Sequence, residues 1–368
     1  MHIHIKIMKI NILNIFYILL AIFLLVKNYF AITEYNYKNT NNWNTWVCIP
    51  KCSDDKKRFS IDILKDELYT AKDDTLYIST SDYEEWGSNY GEDDNNNYGL
   101  PKKADIIYFS EYEDKFYEVK IDFNPDYLKK AFKEIHYSNE SDIYDDFAKA
   151  NREAKGHFNG LVFGFAPKGF VVVWMVYGNF YRKELGKFQA IIVKGDKKYD
   201  EKIISDHYHE EMTRKEIRET NFIPNISSKK WNDYHKRYNL KIETVSENKG
   251  FKIFEKELEN YNGESLYEFR PEILNQTYSS KALPKNISVY WETGLNQKFQ
   301  GNLFFNEKEL FEKFKDSKPT DNQDLQIKIA KNNVSIEVLL NNEPLKMDSI
   351  RIWGMAQGVE TVYKESYK

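Results

Sequence analysis

The chain opens with an apolar run that predicts a membrane-targeting helix. Ile10 to Val26 is apolar apart from two asparagines, and the basic residues Lys6, Lys9 and Lys27 flank it. This pattern is typical of a signal sequence or of a single membrane anchor with its N-terminus in the cytoplasm. The run covers only about 25 Å as a helix, and the best cleavage site, Ala31-Ile32-Thr33, is poor. We therefore expect an inner-membrane anchor with the body in the periplasm, and secretion after cleavage is the alternative.

The body of the chain contains two similar runs of strand-like and helix-like segments. In each, a Leu-Pro-Lys sequence leads through two strand-like runs to an Asn, followed by a Leu and a Phe four residues apart. The Asn predicts a helix cap, and the Leu and Phe then share one face of that helix. The landmarks are Leu100-Pro101-Lys102, Asn124, Leu128 and Phe132 in the first copy, and Leu283-Pro284-Lys285, Asn306, Leu310 and Phe314 in the second.

A β-hairpin is predicted after each of these segments. Residues 161–165 and 171–176 are continuously apolar around a Pro167-Lys168-Gly169 turn, which indicates two fully buried strands. Residues 325–329 and 335–340 repeat the hairpin with alternating polarity, which indicates strands with one exposed face.

These patterns predict an α+β protein of two β-rich units. Each unit is expected to be an antiparallel sheet with a packed helix, and the pair is expected to come from an internal duplication. The predicted divisions are an N-terminal anchor or signal peptide with linker at 1–37, a first unit at 38–228 and a second unit at 229–368. The boundary lies at the helix-breaking stretch from Pro224 to Ser228.

The composition of the chain limits the classes of partner that it is expected to bind. The 368 residues carry a formal net charge of -4, so no large positive field attracts a nucleic-acid backbone. A content of 41% hydrophobic and 16% aromatic residues is enough to build buried cores. We expect a protein partner and a membrane contact through Ile10 to Val26, and neither nucleic acid nor a cofactor.

Cys48 and Cys52 are the only cysteines in the chain. In an exported protein, their C-x3-C spacing favours a small disulfide loop, with free thiols as the alternative. Two cysteines without a nearby pair of histidines do not complete a zinc site.

No motif for catalysis or metal binding emerges, and the predicted binding site is an aromatic and acidic loop. Trp86, Tyr90, Asp93, Asp94 and Tyr98 combine side chains that are common on protein-binding surfaces. The alternative is that the aromatic side chains pack back onto the sheet. The cluster at His207 and His209 lies among charged residues and is assigned to a solvated helix face.

Residues 165–174, with an A-P-x-G turn and a V-V-x-W strand, and residues 185–190, with a G-x-F-x-A segment, resemble a bacterial family, domain of unknown function 2931. The likeness covers about residues 45–220, and the second copy keeps only its outline. It implies an extracytoplasmic protein, often a lipoprotein, without an assigned activity, and a role as an immunity partner in toxin loci has been suggested for some members. This chain has no lipid-attachment cysteine directly after its apolar run.

The function favoured by the sequence is a membrane-anchored, extracytoplasmic protein-binding protein without catalytic activity. Its narrower form is an immunity protein that neutralises a toxin acting at the envelope. The alternatives are an envelope hydrolase with a carboxylate site that spacing does not reveal, and a structural component of the envelope.

Overall fold

The computed structural model describes residues 12–39, 42–53, 57–79, 82–89, 97–133, 136–137, 155–156, 158–177, 181–194, 213–269, 272–293 and 297–354. The described part of the protein is mostly β, with 51% of its residues in strands. The predicted α+β class is corrected in this respect, because four of the five helices in the described residues are only six to eight residues long. The helices are α1 (Ile12–Asn39), α2 (Pro125–Ala131), α3 (Arg214–Asn221), α4 (Lys229–Tyr234) and α5 (Glu307–Lys313).

The N-terminal helix α1 is longer than the apolar run that predicted it. Its stretch Asn14–Tyr35 is 22 residues long, is apolar enough to cross a membrane and has no buried residue. Only Thr40 and Asn41 separate the end of α1 from the first strand.

The first unit is built from two facing sheets. Strands β1 and β10 are parallel neighbours, and β11 and β12 continue that sheet. The facing sheet has the order β13-β7-β6-β2-β3, and Tyr108 of β6 packs against Phe165 of β10 across the core. The strands are β1 (Asn42–Cys48), β2 (Ile61–Thr70), β3 (Thr75–Tyr77), β4 (Asp82–Tyr83), β5 (Asn97–Tyr98), β6 (Pro101–Ser110), β7 (Lys115–Asp122), β8 (His136–Tyr137), β9 (Lys155–Gly156), β10 (Phe158–Ala166), β11 (Phe170–Tyr177), β12 (Tyr181–Gln189) and β13 (Ile191–Val193).

The second unit repeats this order of strand pairing. Strand β14 is parallel to β20, which continues through β21 and β22, and the facing strands run β16-β15-β18-β19-β23. Lys256 of β15 donates to the backbone carbonyl of Ile242 in β14 across the core, at 3.0 Å. The strands are β14 (Tyr238–Ser246), β15 (Lys252–Asn260), β16 (Ser265–Phe269), β17 (Ser279–Lys281), β18 (Pro284–Thr293), β19 (Gln297–Phe305), β20 (Asn322–Ile329), β21 (Ile336–Leu340), β22 (Glu343–Pro344) and β23 (Met347–Gly354).

One sheet joins the two units. Strand β12 of the first unit pairs with β16 of the second at a single position, Arg182 opposite Ser265. This pairing gives an 11-stranded sheet in the order β23-β19-β18-β15-β16-β12-β11-β10-β1-β4, with β5 also paired to β1. One antiparallel sheet was predicted for each unit. Each unit instead has two facing sheets, one of which contains a parallel pair, and the structure links one sheet of each unit into a continuous surface.

The predicted helix caps and the first hairpin are confirmed. The Asn124 side chain accepts from the backbone N–H groups of Asp126 and Tyr127, and the Asn306 side chain accepts from that of Glu309. Between β10 and β11, Lys168 and Gly169 both adopt positive φ, at 65° and 70°, which closes the predicted turn.

Candidate functional site

A groove of about 890 Å³ lies where the two units meet, and both units supply its walls. The first unit contributes residues between β1 and β2 and residues at and directly after β4. The second unit contributes α4, the end of β15 with the turn that follows it, and the starts of β18 and α5. The lining residues are Pro50, Lys51, Cys52, Ser53, Arg58, Phe59, Tyr83, Glu84, Glu85, Trp86, Lys230, Trp231, Tyr234, Glu259, Asn260, Tyr261, Lys285 and Glu307.

The interior of the groove is aromatic. Phe59 of the first unit meets Trp231 of α4 edge-on, with ring centroids 5.6 Å apart, and Tyr234 packs on Tyr261 at 5.1 Å. Burial raises the pKa of the Tyr234 phenol, and the neighbouring Glu307 carboxylate raises it further, so this hydroxyl stays neutral and donates to Glu307. Tyr83 remains 43% exposed and gives the groove an accessible aromatic edge.

Ion pairs of both signs surround the aromatic interior. Lys230 contacts Glu307 at 3.1 Å, and Lys285 contacts Glu259 at 2.8 Å and Glu85 at 3.9 Å. All of these side chains are at least a quarter exposed, so solvent screens the pairs and each contributes little to stability. An incoming ligand that carries charges of either sign can therefore replace them at small cost.

Trp86 separates the groove from a buried polar cluster. Its ring lies edge-on to Trp174, with centroids 5.0 Å apart, and edge-on to His235 at 5.9 Å. Within the part of the chain that the structure describes, the buried indole Nε1 of Trp86 and the imidazole Nε2 of His235 have no hydrogen-bond partner. Two rings that contact each other behind the groove wall thus each carry a buried polar atom without a partner among the described residues.

His235 is held by Glu184, a residue of the other unit. The imidazole Nδ1 lies 2.6 Å from Glu184 Oε2, and Asn262 Nδ2 donates to the same oxygen at 3.1 Å. Burial acts to raise the pKa of Glu184, but the hydrogen bond with His235 and the charge of Arg237 hold it below its usual value. The carboxylate is therefore ionised at neutral pH and connects β12 to the second unit.

Two glycines allow the units to approach at this cluster. Gly87 and Gly263 both have positive φ, at 81° and 85°. A Cβ built on Gly263 would lie 2.9 Å from the Cα of Gly87 and 2.9 Å from the Trp174 ring. The indole Nε1 of Trp174 donates to the backbone carbonyl of Asn262 at 3.0 Å, next to this contact. A larger residue at either glycine would push the units apart.

Of the predicted binding residues, the structure describes Trp86 and Tyr98 and places these two apart. Trp86 lies at the groove, beyond the end of β1, whereas Tyr98 pairs with Asn42 at the start of β1. The length of β1 puts these two positions about 20 Å apart. Trp86 and Tyr98 are both partly buried against the core, which matches the alternative that the aromatic side chains pack back onto the sheet. Tyr90, Asp93 and Asp94 lie outside the described residues.

Cys48 and Cys52 are free in the structure, so the predicted disulfide is not formed there. The physical reason is the position of Cys48, whose sulfur points into the core and accepts from the Gly87 N–H at 3.3 Å. Burial raises the pKa of the Cys48 thiol to about 12, which suppresses the thiolate needed for exchange. Cys52 instead lines the groove.

Sequence reasoning missed His235, Glu184 and the aromatic residues of α4. His235 and Glu184 are 51 positions apart, and strand pairing between the two units brings them together. The one local signal was Trp231 and Tyr234, three residues apart on a short helix after a breaker. Among the described residues, no group of three or more acidic, His or Cys side chains is placed to hold a metal ion.

The family resemblance is confirmed. The model of the family described as protein of unknown function, DUF2931, matches residues 31–251, which is more than half of the chain. The chain belongs to this family. The match continues past the predicted boundary at residue 228 and includes α4 and β14. No curated protein and no solved structure matches the chain.

Proposed function

We propose that this chain is a membrane-anchored binding protein without catalytic activity, and that its groove holds a segment of a partner protein outside the cytoplasmic membrane. The observation that carries the proposal is the position of the groove. Two residues separate α1 from strand β1, and one residue separates the end of β1 at Cys48 from the groove residues Pro50 to Ser53. The groove therefore opens about 20 Å from the anchored end, where a partner can reach it.

The geometry of α1 supports retention of the N-terminal helix. Its 22-residue apolar stretch is about 33 Å long, which matches a hydrocarbon core of about 30 Å. Its side chains are exposed along the whole stretch, from Ile15 at 46% to Tyr35 at 68%, so the body offers them no cover. A lipid bilayer supplies that cover.

The chemistry of the groove supports a protein ligand. Aromatic residues in a desolvated centre, surrounded by exposed charged residues, are the usual composition of protein-binding hot spots. Trp231, Tyr234 and Tyr261 are each less than 10% exposed and form such a centre. Lys230, Lys285 and their acidic partners form the surrounding ring.

The test is site-specific photocrosslinking in the native membrane. A photoreactive residue replaces Tyr83 at the groove or, as control, the exposed Tyr77 in β3. We expect a discrete protein adduct from position 83 only. The adduct should disappear in the Lys230→Glu, Lys285→Glu double variant and persist in a Lys308→Glu, Lys318→Glu variant, which changes charge equally outside the groove. Equal adducts from both positions, or an adduct that survives the groove variant, would contradict the proposal.

The narrower proposal is that the captured partner is a toxin that acts at the envelope. Cells that express such a toxin should survive with the wild-type chain and lose protection with the groove variant. Survival that does not depend on the groove would reject this form. Copurification with large membrane assemblies, in place of one partner, would favour the structural role.

One observation favours the rival hydrolase function. His235 paired with Glu184 has the arrangement of a general base and the carboxylate that orients it, and its second nitrogen has no partner among the described residues. Trp86 would have to move before a substrate in the groove met that nitrogen. A hydrolytic activity that is lost in a His235→Gln variant, which keeps its partner binding, would establish the enzyme.

We also propose that the two units arose by internal duplication. Beyond the repeated strand order, the backbone hydrogen bonds at the Leu-Pro landmarks correspond. Ala71 N–H donates to the Leu100 carbonyl at 2.8 Å, and Tyr261 N–H donates to the Leu283 carbonyl at 3.0 Å. Ala71 and Tyr261 are each the second residue of a tight turn. A backbone hydrogen bond between residues four apart closes each turn, at 2.9 Å in the first unit and 2.8 Å in the second.

A further inference from the structure

The anchored end of the body is defined by direct contacts. Helix α1 touches β5, and Asn42, the first residue of β1, pairs with Tyr98. The apolar stretch of α1 ends at Tyr35, so the seven residues to Asn42 span at most about 25 Å. Any membrane that holds α1 therefore lies close to the start of β1.

Helix α2 lies at this same end. Trp43 of β1 contacts Phe158 with ring centroids 6.2 Å apart, and Phe158 packs on Phe132 at 4.1 Å. Phe132 is the residue that caps the C-terminus of α2. Two aromatic contacts thus connect the entry point of the anchor to the last turn of the helix.

The outer face of α2 is basic. Leu128 and Ala131 face the core, while Tyr127, Lys129, Lys130 and Lys133 are exposed. Within the described part of the chain these three lysines form no ion pair, whereas nearby Lys102 is neutralised by Asp73 at 2.7 Å. Asp126, the acidic residue of the helix, lies in the first turn, and the three lysines leave the exposed face with a net positive charge.

The corresponding helix of the second unit differs in charge and position. Helix α5 carries Glu307, Glu309 and Glu312, and its Lys313 is paired with Glu343 at 2.8 Å. Glu307 lines the groove, so α5 lies at the end of the body away from the anchor. The basic outer face is therefore a property of the helix beside the anchor.

We propose that the exposed face of α2, formed by Tyr127, Lys129, Lys130 and Lys133, rests on the anionic lipid headgroups of the membrane that holds α1. This inference depends on the anchoring in the proposed function. Each lysine near an anionic surface is attracted to it, and the tether removes most of the entropy that such a contact would otherwise lose. Tyrosine is a common interfacial residue beside such cations. The contact orients the body with the groove away from the lipid.

The test uses the full-length protein in lipid nanodiscs, with hydrogen exchange of the α2 amides as the readout. We expect exchange to be about fivefold slower or more in discs that contain phosphatidylglycerol than in discs of phosphatidylcholine alone. Salt at about 1 M, where the Debye length is about 3 Å, should remove the difference. The α5 amides should exchange equally in both.

Two variants separate charge from position. Lys129→Glu, Lys130→Glu, Lys133→Glu should abolish the lipid-dependent protection of α2, and the matched Lys308→Glu, Lys313→Glu, Lys315→Glu variant should leave it intact. Equal α2 exchange in the two disc types would overturn the inference. A chain that does not insert into the discs would instead contradict the membrane anchoring of the proposed function. The two proposals therefore fail in different ways.

Discussion

The β10–β11 hairpin of the first unit and the β20–β21 hairpin of the second occupy the same place in the strand order but differ in burial. Every residue of β11 is buried, whereas β20 alternates between buried and partly or fully exposed residues. In both units one face of the hairpin covers a core. In the first unit the opposite face is also covered, by Trp86, α4 and the turn at Gly263.

This difference in burial shows where the two units pack against each other. A sheet buried on both faces needs apolar residues at every position, and a sheet buried on one face needs them at every second position. The continuous apolar strands of the first unit therefore mark the junction between units. The groove and the buried His235–Glu184 pair both lie at that junction.

A charge placed on the outward face of each hairpin gives the largest expected effect. Val172 in β11 pairs with Gly164, which faces Trp86 and Trp174, and it is fully buried. A Val172→Asp substitution leaves a buried, unpaired carboxylate, and we expect it to lower the free energy of unfolding by about 3–5 kcal/mol.

The matched substitution Leu339→Asp lies on the half-exposed face of β21 and should cost less than about 1 kcal/mol. Denaturant unfolding of the full-length protein in detergent measures both values. Similar losses at the two positions would show that the outward face of the β10–β11 hairpin is no more buried than that of the β20–β21 hairpin.

The second prediction compares two glutamates with opposite pH dependence. Glu184 at the junction has a lowered pKa, so its contribution to stability is present above the ordinary value of 4.5 and is lost as the pH falls through its folded pKa. Glu184→Gln should lose about 1.5–3 kcal/mol at neutral pH, since a hydrogen bond to a charged partner has about this strength.

Glu257 in β15 behaves in the opposite sense. Burial raises its pKa to about 7, so its contribution is present below pH 4.5 and is lost as the pH rises through about 7. The free energy of unfolding, measured from acidic to neutral pH, should therefore change its pH dependence in opposite directions in the two variants. Glu184→Gln should remove a contribution that rises with pH, and Glu257→Gln should remove one that falls with pH. The same slope change in both variants would contradict the assignment.

The smallest effect tests how closely the two units correspond. Asn124 caps α2 and Asn306 caps α5, and both side chains accept backbone N–H bonds at about 3 Å. Replacing either Asn by Ala should cost about 1 kcal/mol, with Asp126 and Glu309 amides left without their acceptor. Thermal and denaturant unfolding of the two variants give the comparison. A cap that contributes in only one unit would weaken the argument for duplication.

Local patterns predicted several parts of the fold correctly. The Asn caps, the positive-φ turn at Lys168 and Gly169, and the buried or alternating character of the two hairpins all depend on neighbouring residues. The same reasoning overestimated the helical content. It also predicted separate sheets, because a pairing such as Arg182 with Ser265 leaves no trace in either strand alone.

Most residues of the groove and of the His235 cluster were not predicted, for the same reason. Trp86 was identified from its aromatic and acidic neighbours, but the residues that it contacts, Trp174 and His235, come from distant parts of the chain. Tyr98 was grouped with Trp86 because the two are close in sequence. The length of β1 keeps them at opposite ends of the first unit.

By itself, the sequence determined the two hairpins and the strands that lead to the capped helices, which helix is apolar enough for a membrane, and which family the chain belongs to, since each depends on local periodicity and composition. Only the tertiary structure decided that one sheet runs through both units, that a groove forms where they meet, and that α2 lies beside the anchor. Those features depend on contacts between residues far apart in the chain, whose pairing is set by how whole sheets bury their apolar faces.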